Sequence, residues 1–406
     1  MVTTPLPVSI DDVVDAAGVL AGTIRQTLLV QSRALSEIVG GPVYLKCENL
    51  QRTGSFKVRG AYLRIARLTP QERARGVVAA SAGNHAQGVA LAAAELGARA
   101  TVVMPVGAPL PKIAATRSYG ADVVLHGLSV EAALIRAREL AQETGSIFIH
   151  PFEHPDVIAG QGTVGLEIAR QCPQARTIVV PVGGGGLAAG IAIAAAARLP
   201  AARVLGVQAE AVAPFPGSLS AGYPVTVAAT ATMADGIAVA EPGDLTTAIL
   251  AGLGARVITV SEENLSRGLL LCLERAKQLV EPAGAAGVAA ILEHAAVFEP
   301  PVVVVLSGGN IDPLLLAKVL RHGLAAAGRY LALRCRLPDR PGALANLLSE
   351  LANLGANVIE VLHERVTADL HVDEAEVMLQ VETRGPDHCD TVISQLRKTG
   401  YTLIFN

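Results

Sequence analysis

The sequence lacks the features of several large classes of protein. Its formal net charge is −3, and no run of lysine and arginine forms a basic field for nucleic acid. The longest apolar stretch, near 186–197, is too short and glycine-rich to span a bilayer. Residues 1–10 lack the basic and apolar regions of a signal peptide. We therefore expect neither a nucleic-acid partner nor a membrane partner.

Cysteine is scarce, and its distribution argues against two kinds of stabilised fold. The five cysteines are scattered, odd in number and without Cys-x-x-Cys spacing: Cys47, Cys172, Cys272, Cys335 and Cys389. Neither a disulfide scaffold nor a zinc site has this pattern. With 51% hydrophobic residues, the chain is predicted to be a cytoplasmic globular protein with reduced thiols and no metal site.

Lysine is also scarce, and one lysine stands out. The chain has 27 arginines but 6 lysines, and Lys57 lies in Ser55-Phe56-Lys57-Val58-Arg59-Gly60. We predict a turn at Gly54-Ser55 with Ser55 as a helix N-cap, and Phe56 shielding the amine. Burial and a helix N-terminus both lower a lysine pKa, which favours a nucleophilic amine. The alternative is an ordinary solvated helix lysine.

A second motif follows the predicted strand 77–80. Ser81-Ala82-Gly83-Asn84-His85 places small residues and an asparagine where a strand turns into a helix. Backbone N–H groups at such a turn suit a carboxylate, and Asn84 could donate to a phenolate oxygen. The alternative is an ordinary N-cap followed by an amphipathic helix.

Two glycine-rich motifs follow two further predicted strands. Gly183-Gly184-Gly185-Gly186-Leu187 comes after the strand 177–181 and offers backbone N–H groups for a phosphate. It matches neither the dinucleotide fingerprint nor a P-loop, and a flexible connection is the alternative. Ser307-Gly308-Gly309-Asn310 comes after the strand 302–306, where Ser307 can hydrogen-bond a ring nitrogen, although alone it is only a turn. A Schiff-base lysine with a phosphate cradle describes a pyridoxal phosphate site.

The order of predicted elements indicates an α/β fold followed by a smaller module. From Val43 to about Leu320, buried strands alternate with helices, which predicts mostly parallel sheets covered on both faces. We predict a catalytic domain at 1–322, with a small subdomain at about 55–155 inserted in a larger one, and a linker at 323–329. From 330 to 406 the elements follow a ferredoxin-like βαββαβ order. These predicted elements are strand Leu331–Leu337, helix Pro341–Leu354, strands Asn357–Glu364 and Glu376–Glu382, helix Pro386–Lys398 and strand Tyr401–Phe405.

Together the motifs resemble those of fold-type II pyridoxal-phosphate enzymes, and specifically the threonine dehydratases, also called threonine ammonia-lyases. The resemblance runs from roughly Thr27 to Leu320. It also includes Pro111–Arg117, His150–Phe152, Ala159–Thr163, Ala234–Ile237 and Glu281–Ala285. The implied architecture is two open, mostly parallel α/β subdomains.

The resemblance implies a role for each motif. Lys57 would form the Schiff base and Phe56 would flank it. The phosphate would lie against Gly183, Gly184, Gly185, Gly186 and Leu187. The other predicted cofactor contacts are Asn84 at the 3-hydroxyl, Gly236 against the ring and Ser307 at the pyridine nitrogen. The substrate carboxylate would be held by four residues of the second motif: Ser81, Gly83, Asn84 and His85.

The implied reaction is β-elimination of L-threonine to 2-oxobutanoate and ammonia, with L-serine giving pyruvate. Lys57 would remove the α-proton, and the neutral Ser307 would favour loss of the hydroxyl over transamination. Serine racemases carry a second serine where this chain has Ala82, which cannot exchange a proton. Only Glu210 is acidic in the stretch 208–214 where those relatives bind a divalent cation, so no tight metal site is expected. The alternatives are a serine dehydratase with racemase activity and a non-catalytic amino-acid sensor.

The C-terminal module resembles an ACT domain, a fold that binds small regulatory molecules. The loop Asp339-Arg340-Pro341-Gly342 would place Pro341 at a helix start and expose backbone N–H groups to an amino-acid carboxylate. Asn357 would take the amino group of this effector, for which isoleucine is a candidate. The alternative is a dimerisation module without a ligand. In either case a homodimer or homotetramer is expected.

Overall fold

The computed structural model describes residues 6–365 and 370–404. The chain separates into two compact units, Met1–Leu316 and Ala317–Asn406. Within the described residues, no helix has both the length and the apolar character needed to cross a bilayer.

The first unit alternates strands and helices. Its strands are β1 (Leu29–Gln31), β2 (Val43–Lys46), β3 (Val77–Ala80), β4 (Ala100–Met104), β5 (Asp122–Leu125), β6 (Ile147–Phe148), β7 (Thr177–Pro181), β8 (Arg203–Ala209), β9 (Arg256–Val260) and β10 (Val302–Val305). Its helices are α1 (Ile10–Leu20), α2 (Arg33–Val39), α3 (Lys57–Ala66), α4 (Pro70–Arg75), α5 (Asn84–Glu95), α6 (Leu110–Ser118), α7 (Val130–Thr144), α8 (Pro155–Gln171), α9 (Gly186–Arg198), α10 (Pro214–Ala221), α11 (Asp244–Gly252), α12 (Glu262–Leu271) and α13 (Pro282–His294). Helix α14 (Pro313–Ala326) begins in this unit and continues into the second.

A six-stranded sheet forms the larger part of the first unit. Its strand order is β1-β2-β10-β7-β8-β9, and every pair is parallel except β1 with β2. All residues of β7 and β10 are buried because helices cover both faces of a parallel sheet. The expected parallel α/β architecture is confirmed.

A second, four-stranded sheet is formed entirely by residues between β2 and β7. Its order is β5-β4-β3-β6, and all of its pairs are parallel. Apolar residues of β3 and β4 pack against the alanine-rich helix α5 in a separate core cluster. The strand predicted at 77–80 is confirmed, with the predicted bounds.

The second unit is an antiparallel sheet packed against two helices. Its elements are β11 (Tyr330–Pro338), α15 (Ala343–Asn353), β12 (Asn357–Glu364), β13 (Glu374–Glu382), α16 (Pro386–Lys398) and β14 (Thr402–Ile404). The strand order β12-β13-β11-β14 and the chain order βαββαβ are those of a ferredoxin-like fold, as predicted. Alternate residues of β11 and β13 are buried against the helices, as a half-covered sheet requires.

Several boundaries in the C-terminal region differ from the sequence-based prediction. Strands β11 and β13 begin at Tyr330 and Glu374, rather than at Leu331 and Glu376. Helix α14 extends to Ala326, so the first four residues of the segment 323–329 are helical rather than linker. Helix α15 starts at Ala343 rather than Pro341 because Gly342 adopts a left-handed conformation with φ of 91°. The last strand ends at Ile404, and Phe405, which the prediction included, lies outside the described residues.

Candidate functional site

A cavity of about 930 Å³ lies at the carboxyl ends of strands from both sheets of the first unit. Ser81 to Asn84 follow β3, Gly183 to Leu187 follow β7, and Ser307 follows β10. Ligands of open α/β sheets bind at this edge, since the loops after parallel strands converge there. The structure therefore brings the four predicted motifs to one cavity.

Lys57 projects into the cavity from the first residue of α3. Its Nζ donates a hydrogen bond to the carbonyl oxygen of Pro151 at 3.1 Å. The Nζ also lies 5.2 Å from the centre of the Phe56 ring. Burial lowers the pKa of Lys57 to about 8, although the charge of Glu281 opposes this shift. The cavity thus contains an amine that is easily deprotonated.

Ser55 is not the N-cap of α3, so this prediction is wrong. The N-cap residue is Phe56, which has no side-chain cap, and Ser55 is extended with φ of −163°. Ser55 forms an isolated β-bridge with Gly308, and the backbone N–H of Phe56 donates to the carbonyl of Ser307 at 3.2 Å. This pairing brings Lys57 beside the loop after β10.

Asn84 is held by two side chains from distant parts of the chain. Its Nδ2 donates to Oε1 of Glu281 at 2.6 Å, and its Oδ1 accepts from Nδ2 of Asn310 at 2.9 Å. Helix α5 begins at Asn84, and its N-cap is Gly83, which has no side chain to cap the helix, so an ordinary side-chain N-cap is not present here. Within the preceding loop, Gly83 N–H donates to Ser81 Oγ at 3.1 Å.

His85 is separated from the cavity, unlike the other residues of its motif. Its side chain is buried, and Nε2 lies 2.9 Å from the carbonyl oxygen of Ile149. Because a carbonyl can only accept, Nε2 carries the proton. Burial, together with the charge of Lys57, lowers the pKa of His85 to about 3, so its ring is neutral. Any contact of His85 with a ligand would therefore use its backbone N–H at the start of α5.

The glycine loop lies at the N-terminus of α9, with no room for side chains. A Cβ atom on Gly184 would lie 2.3 Å from the ring of Phe152, and Gly185 adopts a φ of 92° as the N-cap. The hydroxyl of Thr246 donates to the carbonyl of Gly184 at 2.8 Å. Bare backbone N–H groups at a helix N-terminus attract an anion. This arrangement suits a phosphate.

Ser307 and Gly236 line the cavity from two other loops. Ser307 directly follows the buried residue Leu306 after β10. Gly236 lies in a short 3₁₀ helix, where a Cβ atom would come within 3.0 Å of the Ala283 side chain. A side chain at position 236 would therefore crowd Ala283, which also lines the cavity.

Sequence reasoning gave no role to several charged residues that line the cavity, among them Glu281, Lys112 and Asp235. Glu281 is an isolated acid in an apolar segment, which is the signal in the sequence that could have identified it. Lys112, from α6, pairs with Asp235 at 3.1 Å between Nζ and Oδ2. Its Nζ would also lie 3.3 Å from a Cβ atom on Gly83. Nothing in the local sequence pairs these residues, which lie 123 positions apart.

A network of paired charges lies on the opposite side of α3 from the cavity residues. Arg59 donates to both carboxylate oxygens of Glu48, at 2.9 and 2.8 Å, and to Glu167 at 2.7 Å. Lys46 donates to Glu167 at 2.5 Å and to the carbonyl of Thr27 at 2.9 Å. All five residues are buried. These contacts connect α3 with β2 and α8, and so fix the helix that carries Lys57.

The cavity fits pyridoxal phosphate by the chemistry of its lining. It contains an amine with a lowered pKa, a glycine cradle that side chains would fill, an amide and a hydroxyl. The amine matches the aldehyde of the cofactor and the glycine cradle matches its phosphate. The amide matches its 3-hydroxyl, and the hydroxyl matches its ring nitrogen. The described residues contain no group of three His, Cys, Asp or Glu residues arranged for a metal ion.

The candidate effector residues of the second unit lie on a loop and an adjacent strand. Arg340, Pro341 and Gly342 are exposed between β11 and α15. Asp339 pairs with Arg365 at 3.2 Å, and Asn357 donates to Glu382 at 3.3 Å. Asn357 is thus engaged with the neighbouring strand rather than with the loop.

A family model, related sequences and solved structures all place this chain in the same family. The sequence model for the family described as "Pyridoxal-phosphate dependent enzyme" matches residues 20–308. The chain is 45% identical to an L-threonine ammonia-lyase from Thermotoga maritima, over 97% of this chain and 98% of that protein. A crystal structure of threonine deaminase from the organism abbreviated T.th. has a TM-score of 0.71 and 44% identity, covering 75% of this chain and 99% of that one. Maize serine racemase has a TM-score of 0.73 and 34% identity, covering 78% and 98%.

Proposed function

The chain belongs to the family of pyridoxal-phosphate-dependent enzymes, and from this membership we propose that it is an L-threonine ammonia-lyase. It converts L-threonine to 2-oxobutanoate and ammonia, and L-serine to pyruvate and ammonia. The observation that carries this assignment is the convergence of Lys57, Asn84, the glycine loop and Ser307 on one cavity. It is supported by 45% identity to a threonine ammonia-lyase over 97% of the chain.

The cofactor is held by backbone and neutral side-chain groups. When bound, pyridoxal phosphate takes up the substrate's amino group and withdraws electrons from its α-carbon. The N–H groups of Gly183 to Leu187 would hold the phosphate, and Asn84 Nδ2 would donate to the 3-hydroxyl oxygen. Ser307 would hydrogen-bond the ring nitrogen without adding a charge, while Phe56 and Gly236 would confine the ring.

Lys57 is the catalytic residue of this proposal. Its amine would first bind the aldehyde carbon of the cofactor and, once released by the substrate, would accept the α-proton. A pKa of about 8 leaves a useful neutral fraction near neutral pH. Because Ser307 is uncharged, we expect prompt loss of the β-hydroxyl group rather than transamination.

The substrate carboxylate would lie at the N-terminus of α5. Ser81, Gly83 and Asn84 line the cavity there, and His85 would contribute its backbone N–H alone. The positive end of the helix would attract the carboxylate. The neighbouring Ala82 also lines the cavity, and its methyl group cannot exchange a proton. Elimination is therefore favoured over racemisation, despite the structural similarity to maize serine racemase.

We propose a regulatory role for the ferredoxin-like module. An amino acid such as isoleucine would bind its backbone N–H groups at Asp339 to Gly342, as in an ACT domain. Asn357 pairs with Glu382 opposite the start of β11, at the other end of the sheet from this loop, so it would not contact the same ligand within one chain. We also propose that residues 1–322 and 330–406 act as the catalytic and regulatory domains. Exposed apolar residues on β12, Ile359 and Leu362, support assembly into a homodimer or homotetramer. The five free thiols support a cytoplasmic location.

The assignment is tested by measuring 2-oxobutanoate formation from L-threonine, with and without added pyridoxal phosphate. We expect turnover that depends on the cofactor and an absorbance band from its bond to Lys57. A protein that shows neither would contradict the assignment. Kinetics with isoleucine or valine test the regulatory role, and no response to either would favour a purely structural module.

A further inference from the structure

The mechanism above leaves a buried carboxylate at the cavity wall without a function. Glu281 is 3% exposed, yet its side chain lines the cavity. It precedes α13 as the N-cap residue, but its carboxylate does not cap that helix. Its backbone N–H donates to the carbonyl of Gly308 at 3.1 Å, which fixes where the side chain starts. The carboxylate is directed toward Asn84 instead.

The contact with Asn84 determines which way the asparagine amide faces. An ionised carboxylate has no proton to donate and can only accept. Oε1 of Glu281 therefore accepts from the amide nitrogen of Asn84, at 2.6 Å. Asn310 donates to the amide oxygen from the other side at 2.9 Å. An amide nitrogen has two N–H groups, so one remains free for a ligand. Glu281 and Asn310 together point the donor side of Asn84 in one direction.

The space for this carboxylate depends on a glycine. A Cβ atom on Gly308 would lie 2.2 Å from Glu281 Oε1 and 3.0 Å from Asn84 Nδ2. Any other residue at position 308 would therefore displace the carboxylate or the amide. Gly308 adjoins Ser307, so the loop that would meet the ring nitrogen also makes room for Glu281.

Charged groups from three elements surround Glu281. Lys57 faces it from α3, Lys112 from α6 and Asp235 from the 3₁₀ helix at 235–237. Burial raises the pKa of Glu281 to about 7, with a further contribution from Asp235 and opposition from Lys112, Asn84 and Lys57. In return, the charge of Glu281 raises the pKa of Lys57 against the larger effect of burial. Lys57 also lowers the pKa of the two nearby histidines, His85 and His150.

We propose that Glu281 is a positioning residue of the cofactor site, which fixes the amide of Asn84 and stabilises the ammonium form of Lys57. It therefore sets both the affinity of the apo-protein for pyridoxal phosphate and the pH range in which Lys57 captures it. This inference rests on the proposed function. In the capture step, the neutral amine of Lys57 adds to the aldehyde carbon, a C=N bond replaces the C=O bond, and water leaves.

Two substitutions separate the two effects. Glu281→Gln keeps an acceptor for Asn84 but removes the charge, so the neutral amine of Lys57 should be available at lower pH. Glu281→Ala removes the acceptor as well, and the affinity for pyridoxal phosphate should fall about tenfold, as expected for loss of a hydrogen bond to a charged group. Glu37→Gln is a charge-matched control, since Glu37 is an exposed partner of Arg33 outside the cavity.

The experiment measures binding rather than turnover. Apo-protein is titrated with pyridoxal phosphate, and the association rate is followed by absorbance from about pH 6 to 9.5 for the wild type and the three variants, a range that brackets the shifted lysine pKa. The rate for the wild type and Glu37→Gln should be half-maximal near pH 8, the pKa of Lys57. For Glu281→Gln the midpoint should move to lower pH, by about half a unit or more for loss of a nearby charge, with affinity within about threefold of the wild type.

The outcomes distinguish the inference from the proposed function. If the wild type does not bind pyridoxal phosphate, the proposed function fails. If the wild type binds it but Glu281→Gln has the same pH profile, the charge effect is absent. If Glu281→Ala also keeps full affinity, Glu281 has no positioning role and the inference is overturned. Circular dichroism verifies folding, and if Glu281→Ala does not fold, the pH profile of the glutamine variant decides.

Discussion

Helix α3 contributes one residue to each of two polar clusters: Arg59 to the buried charge network and Lys57 to the cavity. The two clusters differ in how completely their charges are paired. Arg59 and Lys46 meet Glu48 and Glu167 in ion pairs of 2.5 to 2.9 Å. Lys57 starts the same helix, but within the described residues it has no carboxylate close enough for an ion pair, only the Pro151 carbonyl. A buried ion pair makes the fold depend on both of its partners, because removing one leaves the other charge uncompensated, whereas an unpaired amine is available for chemistry.

The pKa shifts express the same difference. Burial raises the pKa of Glu167, but Arg59 and Lys46 outweigh it, so the net shift is downward and the carboxylate stays ionised. Lys57 has no comparable partner, and burial lowers its pKa to about 8. Burial also lowers the pKa of Lys46, but there the charges of Glu167 and Glu48 oppose the shift, whereas only the charge of Glu281 opposes it at Lys57. The two lysines therefore differ in their partners rather than in the direction of their pKa shifts.

The largest expected effect is on activity, and it tests the role of the unpaired lysine, Lys57. Lys57→Ala should lower the rate of 2-oxobutanoate formation by more than about 1000-fold, since it removes both the cofactor's attachment point and the base. The rate is measured at saturating L-threonine and pyridoxal phosphate. A folded Lys57→Ala protein with unchanged activity would refute the role of this residue.

Breaking the paired network should instead affect stability. Arg59→Met leaves Glu48 and Glu167 buried with fewer partners, and the free energy of unfolding should fall by about 3 to 5 kcal/mol. Denaturant unfolding of the apo-protein measures this change, and Arg136→Met, at an exposed ion pair with Glu143, is the control. If the free energy of unfolding falls by the same small amount in both variants, the buried charge network does not stabilise the fold.

The two lysines should respond in opposite directions to the same substitution. At pH 7, Lys57→Met should raise the free energy of unfolding of the apo-protein by about 1 to 3 kcal/mol, because an unpaired buried charge is removed. Lys46→Met should lower it, because Glu167 loses a partner.

The pH dependence of this gain has a definite sign. The pKa of Lys57 is lower in the folded protein, so the cost of its charge is fully present below about pH 8 and declines as the pH rises toward 10.5. The advantage of Lys57→Met should shrink over the same range. Equal changes for both lysines, or a gain that does not depend on pH, would contradict this account.

The smallest effect is expected for a substitution that adds a group to the cavity instead of removing one. Ala82→Ser would place an exchangeable proton beside the substrate, so a little D-serine should form from L-serine, at about a few per cent of the elimination rate. Chiral analysis of the amino acid after partial turnover measures it. Loss of elimination without any D-serine would show that the hydroxyl only obstructs the cavity.

Local patterns predicted much of this structure. The strands at 77–80 and 177–181 have the predicted bounds, because continuous apolar runs flanked by turn residues have few other structures available. The motifs after them line one cavity for a topological reason, since parallel strands bring their carboxyl ends to one edge. By contrast, Ser55 is a good N-cap by composition, yet a β-bridge to Gly308 holds it extended.

The sequence by itself determined the fold class, the scarce lysine and the glycine cradle, because these depend on residue type and short-range periodicity. Only the tertiary structure decided which polar side chains meet: Glu281 with Asn84, 197 positions away, and Lys46 with Glu167, 121 positions away. It also turned His85 toward Ile149 and away from the cavity. Pairing and burial depend on distance in space, and they determine which lysine has carboxylate partners and which one faces the cavity without an ion pair.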